Sequence, residues 1–125
     1  MPKKRRDDQL DLGMPQQGGT IHPVTGDGET PQLHFTLDNG RLYLGDSIAW
    51  LRTLEEGSVD LVFADPPYNI KKAVWDSFDS LDQYVEWSRQ WIKETARVLK
   101  PSGTLYVCGF SEILAHVKEI GRAHV

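Results

Sequence analysis

The chain has 125 residues, enough for one modest domain, and 39% hydrophobic and 26% charged residues are typical of a globular protein. No apolar run approaches the length of a membrane span, and the charged N-terminus lacks the apolar segment of a secretory signal. These features exclude membrane and secreted classes, so a cytoplasmic protein is expected. The net charge of −4 argues against a large basic surface for nucleic acid.

Residues 1–32 are predicted to form a disordered tail. They are rich in glycine and proline and hold few large apolar residues, so they cannot bury enough surface to offset the entropy lost on ordering. A short basic cluster at residues 3–6 is followed at once by Asp7 and Asp8. This pattern favours a solvated tail over an arm that contacts phosphate groups.

The next segment predicts a hairpin and a helix. Residues 33–37 alternate apolar and polar side chains, as a strand does. The turn at residues 38–40 contains Asn and Gly, which accept positive φ, and a second short strand follows it. Asp46 or Ser47 can then cap a helix that extends to about Leu54.

Residues 59–64 form a nearly continuous apolar run, which predicts a central strand covered on both faces. A loop over residues 65–79 leads to an amphipathic helix from Ser80 or Leu81 to about Leu99. A proline and a glycine just beyond the last turn end this helix. The simplest role for its large apolar residues is packing on the sheet rather than stacking on bases.

Another buried strand is predicted at residues 104–108, and residues 112–120 begin another helix. Strands alternating with helices indicate an α/β fold with a mostly parallel sheet and flanking helices. Ligands in such sheets bind beyond the carboxyl ends of the strands, where both Asp46 and Asp65 fall. The single cysteine, Cys108, is interpreted as a small buried thiol rather than a catalytic group.

Four consecutive residues carry the chemistry: Asp65, Pro66, Pro67 and Tyr68. Each proline fixes φ and lacks an N–H, so the Pro66 carbonyl is a well-oriented acceptor beside the Asp65 carboxylate. Tyr68 adds an aromatic face. Two acceptors and a flat ring suit a planar base that carries an exocyclic amine. No pair of the four histidines has metal-ligand spacing, so no metal site is expected.

Three segments together resemble the S-adenosylmethionine-dependent DNA amino-methyltransferases, which modify adenine N6 or cytosine N4: RLYLGD at 41–46, SVDLVFADPPYN at 58–69 and ARVLKPSGTL at 96–105. The resemblance implies that Asp65, Pro66 and Tyr68 bind the target amine of a base in double-stranded DNA, with Pro67 as scaffold. It also implies that Asp46 and Asp65 contact S-adenosylmethionine. An initial Asp in the tetrapeptide leans toward adenine N6 in this family.

The chain departs from the family in lacking a cofactor loop of the Phe-x-Gly-x-Gly type. Some subgroups place that loop after the catalytic motif, and the chain fits this permuted order with its second half missing. The resemblance then implies a partial Rossmann-like fold over residues 33–118 that holds the third, fourth and fifth strands with a gap between the third and fourth. Residues 119–125 are hypothesised to be a non-native tail translated from a sequencing-library adapter.

Several functions remain open at this point. The leading hypothesis is an adenine-N6 DNA methyltransferase of a restriction–modification or phage system, with a cognate restriction endonuclease as a partner. The alternatives are a cytosine-N4 enzyme, a methyltransferase acting on RNA or on a protein amide, and an inactive fragment. For the 125-residue chain itself we expect inactivity and weak cofactor binding.

Overall fold

The computed structural model describes residues 18–23 and 28–123. The basic cluster at residues 3–6, most of the predicted tail and the last two residues of the chain lie outside the described residues. The elements, in chain order, are β1 (Thr20–Ile21), β2 (Gln32–Leu37), β3 (Gly40–Leu44), α1 (Ser47–Arg52), β4 (Val59–Ala64), a 3₁₀ turn (Val74–Asp76), α2 (Leu81–Val98), β5 (Leu99–Val107) and α3 (Ser111–Arg122).

The first three strands form an antiparallel sheet in the order β1-β2-β3. The predicted hairpin joins β2 to β3 through Asp38 and Asn39. The prediction of disorder up to residue 32 is wrong for β1, because Thr20 pairs with Thr36 and Ile21 pairs with Phe35. Composition did not reveal this strand, since its hydrogen-bond partners are supplied by β2, many residues later in the chain.

A separate parallel pair is formed by β4 and β5, with Leu61 opposite Thr104 and Ala64 opposite Val107. β5 begins earlier than predicted, and its register against β4 shifts across the segment that contains Pro101 and Gly103. A proline lacks the N–H that a regular ladder needs, so the pairing is irregular there. The two carboxyl ends meet where the Cys108 amide donates to the Ala64 carbonyl at 2.9 Å.

The single, mostly parallel sheet predicted from the sequence is corrected to two small sheets among the described residues. One sheet is antiparallel and the other is the parallel β4–β5 pair, and no described strand joins β3 to β4. The fold is mixed α/β. A break between these strands is what the resemblance implied for a chain with its two intervening strands missing, and the full Rossmann-like arrangement stays a prediction.

The core lies between the helices and one face of the parallel pair. Its buried residues come from all three helices: Ile48, Trp91, Ile92, Val117 and Ile120. On the other face Leu61, Phe63 and Tyr106 are 55%, 68% and 57% exposed. The prediction that β4 is covered on both faces is therefore wrong for the described part of the chain.

α1 and α2 start where the sequence predicted, but the proline and glycine expected to form the turn that ends α2 lie inside β5. Asp46 caps α1 and Ser80 caps α2, each accepting a hydrogen bond from the backbone amide three residues later. α3 extends to Arg122 and so includes the first residues of the segment hypothesised to be a non-native tail. The origin of that segment stays a hypothesis. No helix among the described residues is long and apolar enough to cross a membrane.

α1 is attached to α2 by one arginine. The Arg97 guanidinium donates to the carbonyls of Leu54 at 3.0 Å and Leu51 at 2.9 Å, and its Nε pairs with Glu94 at 2.8 Å. The Leu51 carbonyl lies in the last turn of α1, and the Leu54 carbonyl lies two residues beyond the end of that helix. The contact fixes α1, and the Asp46 at its start, relative to the helix that packs beneath β4.

Candidate active site

The tetrapeptide predicted from the sequence begins directly after β4. Asp65 is exposed, and its Oδ1 accepts a short hydrogen bond from the Tyr68 hydroxyl. No described residue donates to the other carboxylate oxygen of Asp65. One acceptor of this carboxylate is thus oriented by the protein, and the second faces outward, available to a ligand.

The two proline carbonyls have different surroundings. The Pro67 carbonyl accepts a hydrogen bond of 2.9 Å from the hydroxyl of Tyr84, a fully buried residue of α2. Among the described residues, no donor approaches the carbonyl of Pro66. The Pro67 carbonyl is thus occupied and the Pro66 carbonyl is not, while the roles assigned to these two residues stay a prediction.

The side chain of Tyr68 contacts two other side chains, those of Phe110 and Asp65. Its ring meets the ring of Phe110 edge to face, with centroids 5.3 Å apart. The hydrogen bond to Asp65, followed by burial and the negative charge of Asp65, raises the pKa of Tyr68 to about 12. The phenol is therefore a neutral hydrogen-bond donor at neutral pH.

Two residues that the sequence did not single out support this arrangement. Tyr84 was assigned to packing on the sheet, yet its hydroxyl also fixes Pro67. Asp76, 2% exposed, accepts the backbone amides of Tyr68 and Asn69, each at 2.8 Å. The only sequence signal was an acidic residue within a predicted loop, which by itself indicates nothing about its partners.

Asp46 follows β3 and comes directly after Gly45, whose backbone conformation suits glycine alone. Gly45 has a φ of 145°, and a Cβ there would lie 2.7 Å from the Cα of Pro31. The Asp46 amide donates to the Glu29 carbonyl at 3.1 Å, and its Oδ1 accepts from Ala49 at 2.7 Å. Its carboxylate thus caps α1 through one oxygen and is exposed.

Two cavities share lining residues at the start of the tetrapeptide. One, of about 250 Å³, lies between α1, β4 and α2 and is lined by residues that include Ser47 and Trp50. The other, of about 220 Å³, is lined by the rest of the tetrapeptide together with Ile70, Lys72, Trp75 and Asp76. Asp65 and Pro66 line both cavities. Asp65 and Pro66 would therefore be contacted by a group bound in either cavity.

The structure therefore brings together some of the predicted site residues and not others. The tetrapeptide forms one continuous site, while Asp46 is not part of the lining of the first cavity and reaches it only through its neighbour Ser47. Cys108 lies just beyond the end of β5 and is partly exposed, rather than buried within a strand as predicted. Within the described ranges, no cluster of three His, Cys, Asp or Glu residues could hold a metal ion.

Comparison with known proteins points in the same direction as this geometry. The sequence profile of a family described as DNA methylase matches residues 59–122. The chain is 39% identical over 82 residues to the type II methyltransferase M.HpaI of Haemophilus parainfluenzae, and 40% identical over 78 residues to the type II methyltransferase M.BamHI of Bacillus amyloliquefaciens.

These matches cover 64% and 59% of this chain, but only 26% and 18% of the two relatives. The chain thus corresponds to a minor part of each relative's length. The family profile nevertheless spans more than half of the chain and includes β4, the tetrapeptide, α2 and β5. The chain therefore belongs to the DNA methylase family, the amino-methyltransferases of the N6/N4 type.

Proposed function

We propose that this chain is the part of a DNA adenine-N6 methyltransferase that binds the target amine. The observation that carries the proposal is the position of Asp65 and Pro66, which line both cavities at the end of β4. A methyl donor and an acceptor amine must approach each other within bonding reach. Two cavities that share Asp65 and Pro66 in their lining suit such a transfer.

The chemistry follows from the two acceptors. An aromatic amine is a poor nucleophile because its lone pair is delocalised into the ring. When the Asp65 carboxylate and the Pro66 carbonyl each accept one of its hydrogens, the lone pair becomes more localised on nitrogen. As the new N–C bond forms, the bond between the methyl carbon and the donor sulfur would break and leave a neutral thioether. The amine, now cationic, loses one proton, which Asp65 can accept and pass to water. Positioning and electrostatic complementarity are the main contributions of the protein.

S-adenosylmethionine, when bound, supplies an electrophilic methyl group on a sulfonium. The described residues fit part of this cofactor. Asp46 and Asp65 are exposed carboxylates that suit its N–H and O–H donors and its positive charges, and a cavity of about 250 Å³ lies between α1 and β4. No strand followed by a glycine-rich loop occurs among the described residues, so we propose that this chain holds half of the cofactor site.

The proposed substrate is double-stranded DNA. The exocyclic amine of a stacked base is out of reach, so the target base must leave the helix and be held by stacking. Tyr68 offers the ring face, and Trp75, 71% exposed, lines the same cavity. With a net charge of −4, this chain is not the main source of phosphate contacts. We assign those contacts to regions of the longer relatives that have no counterpart here.

Two finer points belong to the proposal. The Asp at the start of the tetrapeptide supports adenine as the target base. Both relatives are named as type II methyltransferases, and this supports a restriction–modification system with a cognate endonuclease.

The test is a methyl-transfer assay with the open reading frame that encodes this chain. DNA is incubated with labelled S-adenosylmethionine, digested to nucleosides and analysed by mass spectrometry. We expect N6-methyladenine. N4-methylcytosine would overturn the adenine assignment, and labelled RNA or protein in place of DNA would overturn the proposed substrate.

The matched variants are Asp65→Asn and Asp60→Asn. Both residues are exposed carboxylates of the β4 segment, but Asp60 lines neither cavity and pairs only with Lys100 at the surface. Asp65→Asn removes the negative charge and one of the two acceptor oxygens. Turnover should fall about 10²–10³-fold, by analogy with removal of one group that stabilises a transition state. Asp60→Asn should keep wild-type turnover. Equal rates in the two variants would refute the role of Asp65.

A further inference from the structure

Asp76 is a buried carboxylate at the end of the 3₁₀ turn. Its Oδ1 accepts the amides of Tyr68 and Asn69 at 2.8 Å, and its Oδ2 accepts those of Ile70 and Lys72 at 3.3 Å. Its own carbonyl accepts the remaining amide of the segment, that of Lys71, at 3.1 Å. Every backbone amide from residue 68 to residue 72 is therefore bound by this one residue.

The backbone of the segment is shaped for this purpose. Asn69 and Lys71 have φ values of 57° and 59°, in the left-handed region that costs energy for side chains other than glycine. Alternation into this region turns successive N–H groups to the same side and makes a concave site for an anion. The segment is thus wrapped around the Asp76 carboxylate rather than extended along the surface.

Burial makes this carboxylate dependent on those amides. Within residues 18–23 and 28–123, no lysine or arginine forms a salt bridge with Asp76. A buried charge without hydrogen bonds is strongly destabilising, so the amides supply the compensation that a cation would otherwise give. Carboxylate and segment therefore order each other, and neither is expected to keep its position alone.

The segment begins with the aromatic residue of the tetrapeptide. We infer that Asp76 is a positioning residue for Tyr68: by fixing the amides of Tyr68 and Asn69, it places the phenol against Asp65 and the ring beside the cavity for the target base. A second link supports the same placement, because the Asn69 side chain accepts the amide of Phe78 at 3.2 Å. The inference rests on the proposed function only in that Tyr68 contacts the target base.

The closing experiment uses the 125-residue chain and NMR, so that it does not depend on catalysis. In the wild-type protein we expect scalar couplings across hydrogen bonds between the Asp76 Cγ and the amide nitrogens of Tyr68 and Asn69. Their absence would overturn the inference without any variant. This measurement stands even if substitution of Asp76 prevents folding.

Two variants of Asp76 then differ in how many of these hydrogen bonds they lose. Asp76→Asn keeps one acceptor oxygen, so amide exchange should accelerate at one pair of amides, Ile70 and Lys72, and stay slow at Tyr68 and Asn69. Asp76→Ala removes both acceptors, and exchange should accelerate at all four amides. In Asp76→Ala the pKa of Tyr68, read from its 13Cζ resonance, should fall from about 12 toward 10. Slow exchange and an unchanged Tyr68 pKa in Asp76→Ala would overturn the inference.

Tyr84 serves as the internal control. Burial raises the pKa of Tyr84, and Asp76 is the last and smallest contributor to that shift. If only residues 68–72 are released, the pKa of Tyr84 should stay raised. General unfolding would instead return the pKa of both Tyr68 and Tyr84 to the ordinary value. If the parent enzyme proves not to methylate DNA, the NMR results still decide the Asp76 contact. The proposed function would then fail separately.

In the protein encoded by the full reading frame, a positioning role should affect the kinetics for DNA and leave those for S-adenosylmethionine nearly unchanged. Asp76→Ala, which releases the amides of Tyr68 and Asn69, should raise KM for DNA or lower kcat several-fold while KM for S-adenosylmethionine stays within twofold. Equal losses for both substrates would indicate general destabilisation and would overturn the positioning role.

Discussion

The hydroxyl of Tyr84, on α2, donates a 2.9 Å hydrogen bond to the carbonyl of Pro67, seventeen residues earlier in the chain. This bond joins the helix that packs beneath the parallel strands to the loop that carries the candidate catalytic residues. Pro67 itself is conformationally restricted because its φ is fixed, and this bond adds a restraint on its carbonyl. The position of the site is thus set by α2 as well as by β4.

Tyr84→Phe should remove this bond and leave the Pro67 carbonyl unsatisfied. A loss of about 1 kcal/mol in the free energy of unfolding is expected, since a net hydrogen bond contributes roughly that much. Urea unfolding followed by circular dichroism measures it. Tyr106→Phe, on the exposed face of β5, is the matched control and should unfold as the wild type does. Equal destabilisation of the two variants would contradict the prediction.

Substitutions at Tyr68 should separate the hydroxyl from the ring. Tyr68→Phe keeps the stacking face and frees Asp65, so methyl transfer by the full reading frame should change less than tenfold. Tyr68→Ala removes the face, and stacking worth about 1–3 kcal/mol per base predicts a loss of roughly tenfold to a hundredfold in kcat/KM for DNA. Similar kinetics for the two variants would show that the ring does not contact the base.

The pKa of Tyr68 gives a prediction about pH. Its folded value of about 12 lies above the ordinary 10.0, so the folded state favours the neutral phenol. The stability that this provides is complete below about pH 10 and is lost as the pH rises through about 12. In Asp65→Ala the 13Cζ titration of Tyr68 should move toward 10, while the Tyr84 pKa stays raised by burial. A Tyr68 titration that does not move would exclude Asp65 as the main cause.

Gly45 should not tolerate a side chain. Gly45→Ala places a Cβ 2.7 Å from the Pro31 Cα at a φ of 145°, and strain of about 1–3 kcal/mol is expected in the free energy of unfolding. Gly40→Ala is the control, because nothing lies within 4 Å of a Cβ there. Thermal unfolding of both variants measures the difference. Equal melting temperatures would mean that the segment before Asp46 is not held as described.

The 125-residue chain should bind S-adenosylmethionine weakly. It offers the carboxylates of Asp46 and Asp65 but, among its described residues, no glycine-rich loop after a strand. Calorimetry with the chain at about 0.1 mM should give no saturating heat, and any weak signal should fall further in Asp46→Asn. Tight binding would show that the cofactor site is more complete than proposed.

The sequence alone determined most of the local elements and the position of the tetrapeptide directly after β4. The apolar run of β4, the Asn39–Gly40 turn, and the caps at Asp46 and Ser80 depend on neighbours within a few residues, so their signals are present in the sequence. The sequence also predicts Asp65 and Pro66 as acceptors, because a carboxylate and a carbonyl beside a residue without an N–H are set by the covalent structure.

Only the tertiary structure decided which distant groups meet. The strand Thr20–Ile21, the exposed face of Leu61 and Phe63, and the bond from Tyr84 to Pro67 depend on packing between elements far apart in the chain. Asp76 is the clearest case. An aspartate in a loop is ordinarily solvated, and it became the support of Tyr68 because the backbone folds around it and buries its charge among amides.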